Sequence, residues 1–146
     1  NGARQGAQVR IRLPDPVALS APVQGVVLLV DDDPELRAGV RAQLLELGCQ
    51  VLEANGTDEA LKLLGITDIG AILTDLQLGD RETGVDLARH VVQRLGETAP
   101  PVCIMTALPA TDELHQRAAE SSPVLTKPFD THQLRRALGR ITESTS

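Results

Sequence analysis

The sequence predicts an α/β fold built on a doubly wound, five-stranded parallel β-sheet with five helices. From residue 26 onward, short apolar segments alternate five times with longer amphipathic ones. The apolar segments lack the polar–apolar alternation of a half-exposed strand, which indicates burial on both faces and therefore helices on both sides of the sheet. They occupy residues 26–30, 51–52, 71–73, 102–105 and 124–125.

The amphipathic segments carry the start and stop signals of helices. The first has apolar residues at helical spacing, with Asp33 as the predicted N-cap, Pro34 at its first position and Gly48 at its end. The last is predicted to begin at Asp130, where Gln133 can complete a capping box. The three helices between them are predicted at residues 57–64, 85–95 and 112–120.

Composition narrows the possible functions. The 146 residues include one Phe and no Tyr or Trp, which argues against binding single-stranded nucleic acid by stacking bases on aromatic side chains. The net charge of −6 disfavours attraction to a phosphate backbone. No apolar run is long enough for a membrane span, no signal peptide is visible, and Cys49 and Cys103 look unpaired, so a cytoplasmic location is expected.

Reactive side chains follow four of the five predicted strands. In a doubly wound sheet, ligands bind beyond the carboxyl ends of the strands, so these side chains are predicted to share one site. Singly, each has an ordinary structural explanation as a helix cap, a turn residue or a solvated charge. Their coincidence at one edge favours a functional site, formed by Asp31, Asp32, Asp33, Asp75, Thr106 and Lys127.

The chemistry of this set favours phosphoryl transfer. Carboxylates from separate strands repel one another unless a cation joins them, and Mg²⁺ prefers such oxygen ligands. An aspartate beside Mg²⁺, a lysine and a hydroxyl can accept a phosphoryl group whose charge the cations neutralise. The three histidines, in contrast, are interpreted as surface or packing residues; they are His90, His115 and His132.

Four stretches of the sequence together resemble one family. They are V-L-L-V-D-D-D-P-E-L-R at 27–37, I-L-T-D-L at 72–76, I-M-T-A at 104–107 and T-K-P-F at 126–129. Residues 26–142 thus resemble the receiver domain of two-component response regulators, the CheY-like fold, which implies the strand order 2-1-3-4-5.

The resemblance implies a role for each matching position. Asp75 would be the phosphoacceptor, taking its phosphoryl group from a phosphohistidine on a histidine kinase or histidine phosphotransfer protein. Mg²⁺ would be held by Asp31, Asp32, Asp75 and the backbone carbonyl of Gln77. The phosphoryl group would be bound, and its presence sensed, by Thr106, Ala107 and Lys127. The peptide bond between Lys127 and Pro128 is expected to be cis, which an X-Pro bond allows at low cost.

The sequence also departs from the family pattern. The family commonly has Tyr or Phe three residues before the lysine, as a switch that turns inward, whereas this chain has Val124. Since a β-branched Val cannot make that swing, phosphorylation is predicted to be reported through Thr106 and the loop after the fourth strand. The loop at 79–84 is longer and more polar than usual. Gln77 and Leu108 occupy the positions that tune dephosphorylation in the family.

Outside the predicted domain at 25–142, three segments have their own interpretation. Residues 6–14 alternate in polarity and resemble the closing strand of a histidine-kinase ATP-binding domain, so the chain is predicted to be the C-terminal receiver of a hybrid histidine kinase; a tail over 1–14 is the alternative. Three prolines mark 15–24 as a linker, and 143–146 is a polar tail. A free strand edge at 8–13 would pair weakly with a second copy, so a monomer or weak dimer is expected.

Two other functions use similar residues. A haloacid-dehalogenase-type phosphatase also places Asp, Thr and Lys around Mg²⁺, but it needs a second aspartate two residues after the first, where this chain has Gln77. A degenerate receiver that only binds proteins is the other alternative. It is disfavoured because all five family positions are filled, although Val124 keeps it open for the output step.

Overall fold

The central sheet has five parallel strands in the order β2-β1-β3-β4-β5, which confirms the predicted architecture. The structure is a computed structural model that describes residues 26–79 and 82–144. The predicted strand at 6–14 and linker at 15–24 therefore lie outside the described residues. The strands are β1 Val26–Val30, β2 Gln50–Ala54, β3 Ile69–Asp75, β4 Val102–Thr106 and β5 Val124–Thr126.

Each strand of the sheet is followed by a helix, and the helices begin within one residue of the predicted positions. β2 and β3 are longer than predicted, and the last helix continues to Ser144, so the predicted polar tail at 143–146 is wrong for its first two residues. The Asp33 side chain accepts hydrogen bonds from two backbone N–H groups of the first turn, and Asp130 and Gln133 cap each other as a box. The second helix was expected to end at Leu64, before Gly65, but it continues by two residues to Ile66 because Gly65 has no left-handed φ. The helices are α1 Pro34–Glu46, α2 Thr57–Ile66, α3 Gly84–Leu95, α4 Glu113–Ser121 and α5 Thr131–Ser144.

Both faces of the sheet are buried, as the uninterrupted apolar strands predict. Val27 and Leu29 pack in a cluster with Leu44 of α1 and Leu138 of α5, and Cys103 lies in the same cluster. The alternate residues of β1 point to the opposite face, where they pack in a second cluster with α2 and α3. A third, smaller cluster joins β4 to α4. Within the described residues, no helix is long and apolar enough to cross a membrane.

Candidate functional site

The predicted site residues converge at the carboxyl edge of the sheet. Asp31 follows β1, Asp75 and Thr106 are the last residues of β3 and β4, and Lys127 follows β5. One carboxylate oxygen from each of Asp31, Asp32 and Asp75 lies within 4.8 Å of the other two. The Lys127 Nζ atom lies 2.9 Å from Asp75 Oδ1 and 3.6 Å from Asp31 Oδ2. The structure therefore brings together three carboxylates and one ammonium group.

Asp31 is the most constrained of the three carboxylates, with 1% of its surface exposed. Its Oδ1 atom accepts a hydrogen bond from the backbone N–H of Asp33 at 3.0 Å. Its Oδ2 atom is buried and has no hydrogen-bond partner. A buried carboxylate oxygen that has no hydrogen bond, only the distant charge of Lys127, and that lies near two other carboxylates is suited to a hard divalent cation, so the donor set fits Mg²⁺.

Asp75 lies where its negative charge is disfavoured. Burial raises the pKa of its carboxyl group above the ordinary aspartate value, and the neighbouring carboxylates of Asp31 and Asp32 raise it further. The hydrogen bond and the positive charge of Lys127 act in the opposite direction on this pKa. The net shift of the Asp75 pKa is upward, so the positive charge of Lys127 does not fully offset burial and repulsion. A second cation beside Asp75 would therefore stabilise its ionised form.

The backbone holds Lys127 in place. Its N–H group donates to the carbonyl of Thr106 at 2.8 Å, which joins the ends of β4 and β5. The peptide bond between Lys127 and Pro128 is cis, as predicted. Two residues after Lys127, the carbonyl of Phe129 accepts a hydrogen bond from the Gln43 side chain of α1 at 3.1 Å. The backbone of Lys127 is thus fixed at the end of β4, and its ammonium group reaches Asp75 from there.

Thr106 is buried, with 2% of its surface exposed. Its Oγ1 atom accepts a hydrogen bond from the backbone N–H of Leu108 at 3.0 Å. The next residue, Ala107, is exposed and lines a groove of about 560 Å³ beside Lys127. Apart from Glu35, Gln43 and Lys127, the groove has an apolar lining, which includes Leu36, Gly39, Val40, Pro128 and Phe129.

The described residues at the two ends of the segment between β3 and α3 are paired with each other. Gln77 pairs with Thr83 in an antiparallel bridge, and the N–H group of Leu78 donates to the carbonyl of Glu82 at 2.9 Å. Gly84 then begins α3 so close to β3 that an added Cβ atom would lie 2.7 Å from the Asp75 backbone oxygen. The role of the Gln77 carbonyl as a metal ligand stays a prediction.

Three residues with a structural link to the site were missed in the sequence. Gly84 is one of them. Arg37 donates from Nη1 to the backbone carbonyl of Asp31 at 2.8 Å and from Nε to Glu53 Oε1 at 3.0 Å. His115 is buried, with its Nδ1 atom 2.9 Å from the carbonyl oxygen of Leu108, whereas His90 and His132 are exposed as predicted. Each of the three contacts a backbone carbonyl, for which the sequence carries no signal.

Comparison with known protein families identifies the family of the domain that carries this site. The model of the response regulator receiver domain matches residues 27–139. The chain belongs to the response regulator receiver domain family. It is thus a receiver domain of two-component signal transduction, and the aspartate cluster agrees with a phosphoacceptor site.

Among curated proteins, this receiver domain is similar to the response regulator protein PilR of Pseudomonas aeruginosa. The two are 34% identical over 109 residues, which cover 74% of this chain and 24% of PilR. The transcriptional regulatory protein KdpE of Mycobacterium tuberculosis is 28% identical over 104 residues, or 71% of this chain and 45% of KdpE. The chain therefore spans less than half the length of either relative.

Solved structures show the same fold. The chemotaxis response regulator CheY4 of Vibrio cholerae superposes with a TM-score of 0.68 at 24% identity, over 80% of this chain and 98% of that one. The receiver domain of the sensor histidine kinase PA1611 from Pseudomonas aeruginosa PAO1 gives a TM-score of 0.71 at 25% identity, over 82% and 98% of the two chains. That structure holds a magnesium ion coordinated in its active-site cleft.

Proposed function

We propose that Asp75 is the phosphoacceptor of this receiver domain and that it takes a phosphoryl group from phosphohistidine with Mg²⁺ as the cofactor. The observation that carries the proposal is the position of the Asp75 carboxylate, which lies 2.9 Å from the Lys127 ammonium group and within 4.8 Å of oxygens of Asp31 and Asp32. The buried Oδ2 atom of Asp31, which lacks a hydrogen-bond partner, supports a cation at this place.

In the proposed transfer, a carboxylate oxygen of Asp75 attacks phosphorus, the bond between phosphorus and the histidine nitrogen breaks, and the electron pair stays on the imidazole. Lys127 would neutralise charge on the phosphoryl oxygens, and the Thr106 hydroxyl would donate a hydrogen bond to one of them. Asp31, Asp32 and Asp75 would hold Mg²⁺, which when bound supplies further positive charge to the same oxygens. Gln77 would add its backbone carbonyl as a further ligand of Mg²⁺. Ala107, next to Thr106, would help to bind the phosphoryl group through its backbone.

The partner follows from this chemistry. Receiver domains interact with histidine kinases or phosphotransfer proteins, and we propose one of these as the phosphoryl donor for Asp75. The donor's imidazole would approach from the side of the groove that Lys127 lines. Leu36, half exposed on α1, and Phe129 give that approach an apolar border. A largely apolar rim next to a charged site suits a partner that carries its reactive histidine on an amphipathic element.

The origin in a hybrid histidine kinase stays a prediction. It rests on the alternating pattern at 6–14, which lies outside the described residues. The similarity to a receiver domain from a sensor histidine kinase agrees with it, while the similarity to PilR agrees equally with a response regulator. Sequencing the full reading frame would test it: a kinase ATP-binding domain directly upstream would support the prediction, and its absence would refute it.

Intact-mass spectrometry tests the phosphoacceptor. The protein is incubated with acetyl phosphate and Mg²⁺, and we expect it to gain the mass of one phosphoryl group, which the Asp75→Asn variant should not gain. Asp33→Asn is the matched control, since Asp33 lies in the same acidic run but, contrary to the sequence prediction, caps α1 and is not part of the cluster of Asp31, Asp32 and Asp75. Equal labelling of wild type and Asp75→Asn would refute the proposal.

The same experiment separates the alternative functions. A haloacid-dehalogenase-type phosphatase would release phosphate over many turnovers, yet Asp75 is followed by buried Leu76 and exposed Gln77 rather than by a second carboxylate. A receiver that only binds proteins would remain unlabelled in the presence of Mg²⁺ and acetyl phosphate. Stoichiometric labelling that depends on Asp75 distinguishes the proposed function from both.

A further inference from the structure

His115 is a buried polar residue of α4, the helix whose Ala118 packs on the sheet in an apolar cluster with Ile104. It has 8% of its surface exposed, and its Nδ1 atom lies 2.9 Å from the carbonyl oxygen of Leu108. A carbonyl oxygen only accepts hydrogen bonds, so Nδ1 must carry the proton. His115 thus fixes the loop between β4 and α4 at one backbone position.

That backbone position is also bonded to the site. The N–H group of Leu108 donates to Thr106 Oγ1 at 3.0 Å, while its carbonyl accepts from His115. The Leu108 side chain packs on the cluster of buried residues Leu76, Ile104 and Ala118. Leu108 is therefore held at both polar groups of its backbone, once by the end of β4 and once by α4.

The hydrogen bond from Leu108 determines which way the Thr106 hydroxyl can donate. A hydroxyl has one proton and two lone pairs, and the Leu108 N–H group occupies one lone pair. The Thr106 proton is consequently directed away from Leu108 and is free to reach an acceptor elsewhere. If Leu108 moved, Thr106 would lose the contact that restricts rotation of its hydroxyl.

We propose that His115 is a positioning residue for phosphoryl transfer, which holds Leu108 so that the Thr106 hydroxyl is presented to the phosphoryl group on Asp75. The inference rests on the proposed function. The two hydrogen bonds of Leu108 link Thr106 to α4. They do so in a chain that has Val124 where the family commonly has an aromatic switch residue. Val124 packs against the same cluster as Leu108, but it has no polar side-chain atom with which to form such a link.

Two substitutions at position 115 separate the hydrogen bond from the packing. His115→Leu fills a similar volume without a donor, whereas His115→Asn places an amide nitrogen near the position of Nδ1. With acetyl phosphate and saturating Mg²⁺, we expect His115→Leu to slow phosphorylation about threefold to tenfold, the range that one neutral hydrogen bond is worth. His115→Asn should stay within about twofold of wild type by the same scale. His90→Leu, at an exposed site of α3, is the control.

Two further measurements distinguish positioning from a general loss of structure. Mg²⁺ affinity, measured by calorimetry, should be unchanged in His115→Leu, because its ligands lie on other loops. In the Thr106→Val background, His115→Leu should have no additional effect on the rate, since it acts through the missing hydroxyl. Should His115→Leu fail to fold, His115→Met, which also lacks a donor, replaces it in every comparison.

A wild-type rate in His115→Leu, an equally slow His115→Asn, or an undiminished effect in the Thr106→Val background would each overturn the inference. A wild-type protein that is never phosphorylated on Asp75 would instead overturn the proposed function, and the inference with it. The two failures are therefore distinguishable in the first measurement.

Discussion

The Lys127 ammonium group donates a hydrogen bond to Asp75 Oδ1 at 2.9 Å and lies 3.6 Å from Asp31 Oδ2, so one cation partly neutralises carboxylates from two strands. Asp31 Oδ2 nevertheless remains buried without a hydrogen-bond partner. A divalent cation that binds Asp31, Asp32 and Asp75 would use oxygens that Lys127 already attracts. Lys127 and the metal should therefore compete electrostatically for the same carboxylates.

Removal of the Lys127 charge should consequently strengthen metal binding while it impairs phosphorylation. We expect Lys127→Met to bind Mg²⁺ about tenfold more tightly, because a positive charge within a few ångströms of the ligands is lost. Phosphorylation by acetyl phosphate should slow by at least about tenfold, as the phosphoryl oxygens lose a cationic partner. Calorimetry and intact-mass kinetics measure the two effects. Lys62→Met, an exposed residue of α2, should change neither, and weaker Mg²⁺ binding by Lys127→Met would contradict the competition.

Asp75→Asn should raise the thermal stability of the metal-free protein at neutral pH. The pKa of Asp75 is raised in the folded state, chiefly by burial, so the ionised form is less favourable there than in the unfolded chain. For a group with a raised pKa, stability is fully present at low pH and is lost as the pH rises through the folded-state pKa. Asn at position 75 cannot ionise, so the variant does not lose stability in this way as the pH rises.

Calorimetric melting curves provide the measurement. The melting temperature of Asp75→Asn should exceed that of wild type by a few degrees at neutral pH, and the difference should shrink at acidic pH, where Asp75 is protonated. Saturating Mg²⁺ should stabilise the wild type more than the variant, because the variant has lost a ligand. The idea fails if Asp75→Asn is less stable than wild type without metal at neutral pH.

Gly84 is predicted to be intolerant of any side chain. A Cβ atom at this position would lie 2.7 Å from the Asp75 backbone oxygen and 3.0 Å from Thr74 Cγ2. The oxygen belongs to β3, which is paired on both sides and cannot shift cheaply. Gly84→Ala should therefore cost about 2–4 kcal/mol of unfolding free energy, as overpacking in a core does.

Gly39 is the matched control because it lies within α1 with nothing within 4 Å of an added Cβ atom. Gly39→Ala should stabilise the protein by about 0.5–1 kcal/mol, since alanine is the better helix former. Urea titrations of the two variants measure both values. Equal stability of Gly84→Ala and wild type would show that α3 can move away from β3.

The site residues that could be predicted from the sequence are those whose place depends on strand order alone. Asp75 and Lys127 lie together because each stands at the carboxyl end of a parallel strand, and all these strands end at one edge of the sheet. Gly84 and His115 were missed because the importance of each depends on its distance to a backbone carbonyl oxygen. Every residue has such an oxygen, so the sequence does not show which one will be close. Helix ends were predictable where a side chain caps them, as at Asp33, and less so at Gly65, which is helical here.

Arg37 connects the acidic loop to the neighbouring strand, and its loss should be costly. Its Nη1 atom donates to the Asp31 carbonyl at 2.8 Å and to Asn55 Oδ1 at 2.6 Å, and its Nε atom donates to Glu53 at 3.0 Å. With 17% of its side chain exposed, Arg37 is shielded enough for these bonds to matter. Arg37→Met should lower the unfolding free energy by about 2–3 kcal/mol, because several acceptors lose a charged donor.

Two further variants show whether the stabilisation by Arg37 depends on its forked guanidinium group. Arg37→Lys should recover less than half of the loss, since a single ammonium group cannot reach the backbone and both side-chain acceptors at once. Arg41 pairs with the same Glu53 at 3.2 Å, but its side chain is 49% exposed. Arg41→Met should thus cost no more than about 1 kcal/mol. Urea titration that found equal losses for Arg37→Met and Arg41→Met would mean that Arg37 contributes only a surface ion pair, and that the acidic loop holds its shape without it.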